Sequence, residues 1–122
     1  MKNMSKKEFL EKVFDYSTKN EWEFQSELPI LIDFYDEACP PCKAIEPILE
    51  NASIEYSGRV DFYKVDIKKE EELAKELGIK YMPTLVLCPT NDKPVVMQGV
   101  PTKQNLFTAI DKELLGQNES NV

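Results

Sequence analysis

Three short blocks that read as buried strands, Ile30 to Tyr35, Val60 to Ile67 and Thr84 to Cys88, the first and third nearly unbroken in apolar residues, constrain this chain more than any other feature. A strand with one face in water alternates polar and apolar residues, so a block that is apolar at successive positions needs cover on both faces. Between the first two blocks Ala44, Ile45, Ile48, Leu49 and Ala52 recur at helical spacing, with Pro47 among them and Gly58 beyond. Between the second and third, Glu70-Glu71-Glu72 suits the positive end of a helix that Leu73, Ala74 and Leu77 continue. Gly78 is placed to stop that helix in the left-handed conformation.

The flanks complete the pattern. Ser5-Lys6-Lys7-Glu8 has the form of a capping box, and Phe9, Leu10, Val13 and Phe14 give the helix it opens one apolar face. Trp22 and Phe24 alternate within the polar stretch Asn20 to Glu27, which fits either a short edge strand or a packed loop. After the third block, Pro89 to Pro94 reads as a turn and Val95 to Gln98 as a fourth strand ended by Gly99. Thr102 can cap a last helix whose Leu106, Phe107, Ile110 and Leu114 share a face. A parallel βαβ unit followed by a hairpin and a closing helix predicts a three-layer α/β/α sandwich.

With 122 residues the chain has the size of one domain, 1–122. We expect an N-terminal helix and possible edge strand over 5–27, a core over 28–115 and a flexible tail over 116–122. The net charge of −7 and pI near 4.7 argue against a nucleic-acid binder, which needs clustered Lys and Arg. No run approaches the roughly 18 apolar residues of a membrane span. Lys2, Lys6 and Lys7 are followed by Glu8, Glu11 and Asp15 rather than by the apolar core of a leader, so a cytoplasmic protein is expected; single domains of this kind commonly act alone, so a monomer is expected as well. Three cysteines and no histidine leave a four-ligand zinc site short, so no metal is expected.

Two of those cysteines form Cys39-Pro40-Pro41-Cys42, directly after the first apolar block. The C-x-x-C spacing alone serves zinc sites, iron–sulfur sites and structural disulfides as well as redox chemistry. Its position decides more. A thiolate is the attacking species in disulfide exchange, and unpaired amides at a helix N-terminus favour the charged sulfur of Cys39. Cys42, one turn on, should face Cys39 from within the helix and be less exposed. Pro40 and Pro41 suit the first helical turn and remove two amides, which leaves the amide of Cys42 as the leading local donor to the Cys39 sulfur.

Taken together, Ile32-Asp33-Phe34-Tyr35, the Cys39 motif with Lys43 after it, Pro47 five residues past Cys42, and Tyr81-Met82-Pro83-Thr84 before a late strand resemble the thioredoxin family. The resemblance runs from about Leu28 to Leu115. It implies the thioredoxin fold, with a central mixed sheet of four to five strands, and a protein-disulfide reductase that helps maintain cell redox homeostasis. Carried over by position, it makes Cys39 the nucleophile and Cys42 the resolving thiol of a redox-active disulfide. Asp33 becomes a buried acid that accepts a proton from Cys42, and Lys64 a lysine near that acid. By the residues alone, Asp33 reads equally as a strand-end aspartate held by backbone amides, and Lys64 as a solvent-facing strand residue. Met82-Pro83 matches a bond the family keeps cis. Tyr35, Ala38, Pro40, Pro41, Tyr81, Met82, Pro83 and Gly99 fall on the family's substrate-binding surface.

The resemblance also implies that no cofactor is bound, that electrons come from an external thioredoxin reductase, and that the clients are disulfide-containing proteins. This chain departs from the family at Tyr35 and Ala38, where tryptophans are common, and at Pro40 and Tyr81, where glycines are. Cys88, at the end of an apolar strand, reads as a small buried hydrophobe. Two other functions fit the same motif: a disulfide isomerase or oxidase in an oxidising compartment, and a thioredoxin-like binding module with a structural disulfide.

Overall fold

Alternation along the strands divides the interior into two apolar clusters, one on each face of the sheet. The computed structural model describes residues 1–116; of the expected tail, residues 117–122 lie outside the described residues. In chain order the elements are β1 (Lys2–Asn3), α1 (Lys6–Lys12), β2 (Ile30–Tyr35), α2 (Pro40–Glu55), β3 (Asp61–Asp66), α3 (Glu71–Glu76), β4 (Thr84–Cys88), β5 (Val95–Gln98) and α4 (Lys103–Ala109), extended by a π-helical turn over Ile110–Leu114.

Successive residues of a strand point to opposite faces. Leu31 of β2 and Leu85 and Leu87 of β4 therefore pack with Ile45, Leu49 and Ala52 of α2 and with Leu106 and Ile110 of the C-terminal helix. Ile30, Ile32 and Phe34, with Val86 and Cys88, pack on the other face with Phe9 of α1, Val65 of β3 and Leu73 of α3. These side chains are almost completely buried. Each of the Val, Leu, Ile and Phe side chains stabilises the fold by about 1.5–3 kcal/mol relative to exposure. The result is the three-layer α/β/α arrangement expected from the apolar blocks.

The sheet is five-stranded in the order β1-β3-β2-β4-β5. β1, β3 and β2 are parallel, whereas β4 is antiparallel to β2 and β5 antiparallel to β4. The C-terminal ends of β2, β3 and β5 and the N-terminal end of β4 consequently meet along one edge of the sheet.

The predicted N-terminal capping box is present: Oγ of Ser5 accepts from the amide of Glu8 at 3.1 Å, and Glu8 Oε1 accepts from the amide of Ser5 at 3.4 Å. The stretch Asn20 to Glu27 is a packed loop rather than an edge strand. Its Gln25 amide donates to the Val13 carbonyl at 3.0 Å, and the ring of Trp22 lies 4.9 Å from that of Phe14. Trp22 and Phe24 alternate because the loop lays one side on the cluster beneath it. The additional strand is β1, whose Lys2 and Asn3 pair with Tyr63 and Lys64. Gly78 has the positive φ of 70° that ends α3.

Candidate active site

The turn between β2 and α2 determines where the cysteines stand. Asp36 Oδ1 accepts from the amide of Ala38 at 3.0 Å and its carbonyl accepts from the amide of Cys39 at 3.0 Å, which swings the chain off the end of β2. Cys39 is the N-cap of α2 in an extended conformation, with Pro40 and Pro41 in the first turn. Neither proline has an N–H, so Cys42 carries the first amide of the helix. That amide donates both to the Cys39 carbonyl at 3.1 Å and to the Cys39 sulfur at 3.2 Å.

Cys39 and Cys42 are joined as a disulfide with a Cα–Cα distance of 5.3 Å. Cys42 lies on the buried stripe of α2 at 2% exposure, while Cys39 is half-buried and Pro40, Pro41 and Ala38 are exposed. One sulfur of the pair is within reach of a second molecule and the other is shielded.

Because β4 runs antiparallel to β2, its first residues arrive at the same edge as the cysteines. The Met82-Pro83 bond is cis, and the Met82 carbonyl oxygen is 3.7 Å from the Cys39 sulfur. Pro83 is buried, Met82 half-buried, and Tyr81 is 64% exposed beside them. The loop after β5 completes the rim: Gly99, at φ 86°, donates its amide to the Pro83 carbonyl at 2.9 Å. That φ suits glycine, which has no Cβ to clash. Val100, next to it, is 43% exposed.

Asp33 lies on the same face of β2 as Leu31, beneath α2, and is 4% exposed. Its Oδ1 has no hydrogen-bond partner among the described residues. Desolvation, reinforced by the charge of Glu46 and opposed by that of Lys64, raises its pKa to about 7. The alternative of a strand-end aspartate held by backbone amides does not describe this carboxyl. Lys64 is its register partner on β3. Asp33, Lys64, Tyr35, Glu46 and Glu50 line a small cavity of about 130 Å³ under α2.

Tyr35, the last residue of β2, lines this cavity and reaches β1, where its hydroxyl donates to Asn3 Oδ1 at 3.2 Å. Glu46 was not marked by the sequence. Its spacing of one helical turn from Cys42 is the signal that singles it out. A larger cavity, about 640 Å³, lies between the Asn20 to Phe24 loop and Thr90 to Lys93, at the end of the sheet remote from the cysteines. Cys88 is the free cysteine, fully buried, and burial pushes its thiol up to about 12.

Among the described residues no cluster of three or more His, Cys, Asp or Glu side chains is arranged to hold a metal ion. Nor is any helix among them long and apolar enough to cross a membrane.

Comparison with known proteins places this geometry. The thioredoxin family model matches residues 3–112. The thioredoxin of Borreliella burgdorferi is 38% identical over 114 residues, which cover 93% of this chain and 97% of that protein. The thioredoxin of Rickettsia felis is 34% identical over 102 residues, 84% of this chain and 96% of its own. Among solved structures, the thioredoxin of Malassezia sympodialis superposes with a TM-score of 0.71 at 29% identity, covering 88% of this chain and 84% of that one. Chloroplastic thioredoxin z superposes with a TM-score of 0.77 over 92% of each chain, a likeness of fold at 19% identity.

Proposed function

The chain belongs to the thioredoxin family and is a thiol-disulfide oxidoreductase; from that premise we propose that it works as a protein-disulfide reductase, with Cys39 as nucleophile and Cys42 as resolving thiol. The observation that carries this reading is the asymmetry of the pair: Cys39 half-exposed at the N-terminus of α2, Cys42 buried one turn behind.

In the reduced protein the Cys39 thiolate attacks one sulfur of a client disulfide. A Cys39–client bond forms, the client S–S bond breaks, and the other client sulfur leaves as a thiolate. Cys42 then gives its proton to Asp33 and attacks Cys39, which releases the second client thiolate and leaves the Cys39–Cys42 disulfide. Two electrons have passed to the client. The Cys42 amide, 3.2 Å from the Cys39 sulfur, supports the first step by stabilising a thiolate there. The raised pKa of Asp33 supports the second, since a carboxyl near 7 is matched to take a proton at neutral pH. Lys64 favours the negative charge on Asp33 and so counters part of that upward shift.

We assign client docking to Met82, Pro83 and Gly99 with the exposed Tyr81, Ala38, Pro40 and Pro41, because an extended segment can lie along the Met82 backbone as an added strand. Tyr35 would border this surface from its place beside Asn3. A separate thioredoxin reductase restores the dithiol, and disulfide-containing proteins are the clients. We read the chain as a single domain acting in the reducing cytoplasm as a monomer without a bound cofactor. The test is turnover of insulin disulfides by the dithiol protein. Cys39→Ser is expected to abolish it, and Cys42→Ser to accumulate mixed disulfides with the client. Full turnover by both variants would overturn the assignment.

A further inference from the structure

Asp33 is a carboxyl with a way out. One of its oxygens is buried without a hydrogen-bond partner among the described residues, and the cavity it lines runs under α2 to the surface at Glu46 and Glu50. Both glutamates are exposed, and they follow Cys42 at intervals of one helical turn along the edge of the buried stripe. A polar cavity of about 130 Å³ has room for several waters, so a proton on Asp33 can exchange with solvent along this wall.

We propose that Glu46 is a positioning residue for the proton step, its carboxylate standing at the mouth of the Asp33 cavity and making Asp33 a stronger base toward Cys42. This rests on the reading of Asp33 as proton acceptor given above. The charged and titratable groups around the cavity come from four places. Tyr35 extends from β2 itself, Lys64 from β3, Glu46 and Glu50 from α2, and Met1 lies at the start of the chain. The neighbouring strand β4 contributes Leu85, and the C-terminal helix Leu106 and Ile110, all uncharged. Glu46 and Lys64 thus set opposing fields on one buried carboxyl, and the Asp33 pKa follows both: Glu46 raises it and Lys64 lowers it, after the larger effect of burial. Cys42 leaves α2 one turn before Glu46, so the same helix presents the proton donor to Asp33 and the charge that makes Asp33 receptive.

The experiment follows the Asp33 side-chain carboxyl by ¹³C NMR against pH in the oxidised protein, with urea unfolding as a check on the fold. In low salt, Glu46→Gln is expected to lower the Asp33 midpoint by on the order of half a pH unit. Glu46→Asp, which keeps the charge, should retain most of the wild-type midpoint, and about 1 M salt should shrink the difference between Gln and wild type. The pH at which Cys42 resolves a mixed disulfide at half its maximal rate should move down with the NMR midpoint. An unchanged midpoint in folded Glu46→Gln overturns the proposal, as does an equal shift in Glu46→Gln and Glu46→Asp. Absence of any disulfide turnover in the wild type would instead overturn the reductase reading, and the NMR midpoints would still judge Glu46.

Discussion

Lys64 stands opposite Asp33 in the β2–β3 ladder, yet its ammonium lies over the ring of Tyr35, 5.5 Å from the centroid, and forms no ion pair with the carboxylate among the described residues. The lysine therefore acts on Asp33 through the field across the cavity rather than through a hydrogen bond. Lys64→Gln is expected to raise the Asp33 midpoint by on the order of half a pH unit. The measurement is the same carboxyl titration, and a midpoint that stays put would mean that solvent already screens the ammonium. The direction is opposite to that expected for Glu46→Gln, so the two variants check each other.

Asp33 also makes stability depend on pH. Its folded pKa of about 7 lies above the ordinary 3.8, so the folded state holds the proton more tightly than the unfolded chain does. Stability is then greatest below the ordinary value, falls as pH rises through the folded value, and stays reduced above it. Asp33→Asn has no charge to bury. It is expected to be more stable than wild type at pH 8 by on the order of 2 to 4 kcal/mol, with the difference closing toward pH 4. Urea unfolding at the two pH values measures this, and an equal difference at both would show that the carboxylate charge is not its cause.

Cys88 packs between Ile30 and the residues under α1 with no exposed surface, and burial keeps its thiol protonated far above neutral pH. A thiol that is neither ionised nor reachable does not alkylate. In the reduced folded protein at pH 8, iodoacetamide should label Cys39 and leave Cys88 intact, with Cys88 labelled only after unfolding in urea. Peptide mass mapping reads out both sites. Labelling of Cys88 in the folded protein at a rate near that of Cys39 would contradict its burial.

Much of this architecture is legible in the residues, because burial on two faces and helical spacing leave periodic traces. Ile30 to Tyr35, the helix after Cys39 and the Ser5–Glu8 cap follow from such local rules. Lys2 and Asn3 carry no such trace, since a two-residue polar strand exists only because β3 offers an edge. The alternation of Trp22 and Phe24 fits strand and loop equally, and the tertiary packing onto Phe14 decides it. The π-helical turn after Ala109 is equally hidden, since Leu106, Ile110 and Leu114 fit an uninterrupted α-helix. The cis bond at Pro83 came from family likeness, as composition and spacing favour trans. Glu46 reads in sequence as one more solvated glutamate, and its place opposite Asp33 exists only once α2 lies across β2.

The rim joins segments far apart along the chain, for Cys39, Met82 and Gly99 meet only where β2 and β5 end and β4 begins. The two sulfurs, by contrast, are separated by three positions and stay neighbours in any conformation. Denaturation therefore leaves the molecule its electron store and takes away its berth for a client. Capacity to be oxidised belongs to the local sequence, whereas selectivity among partners is a property of the native state alone.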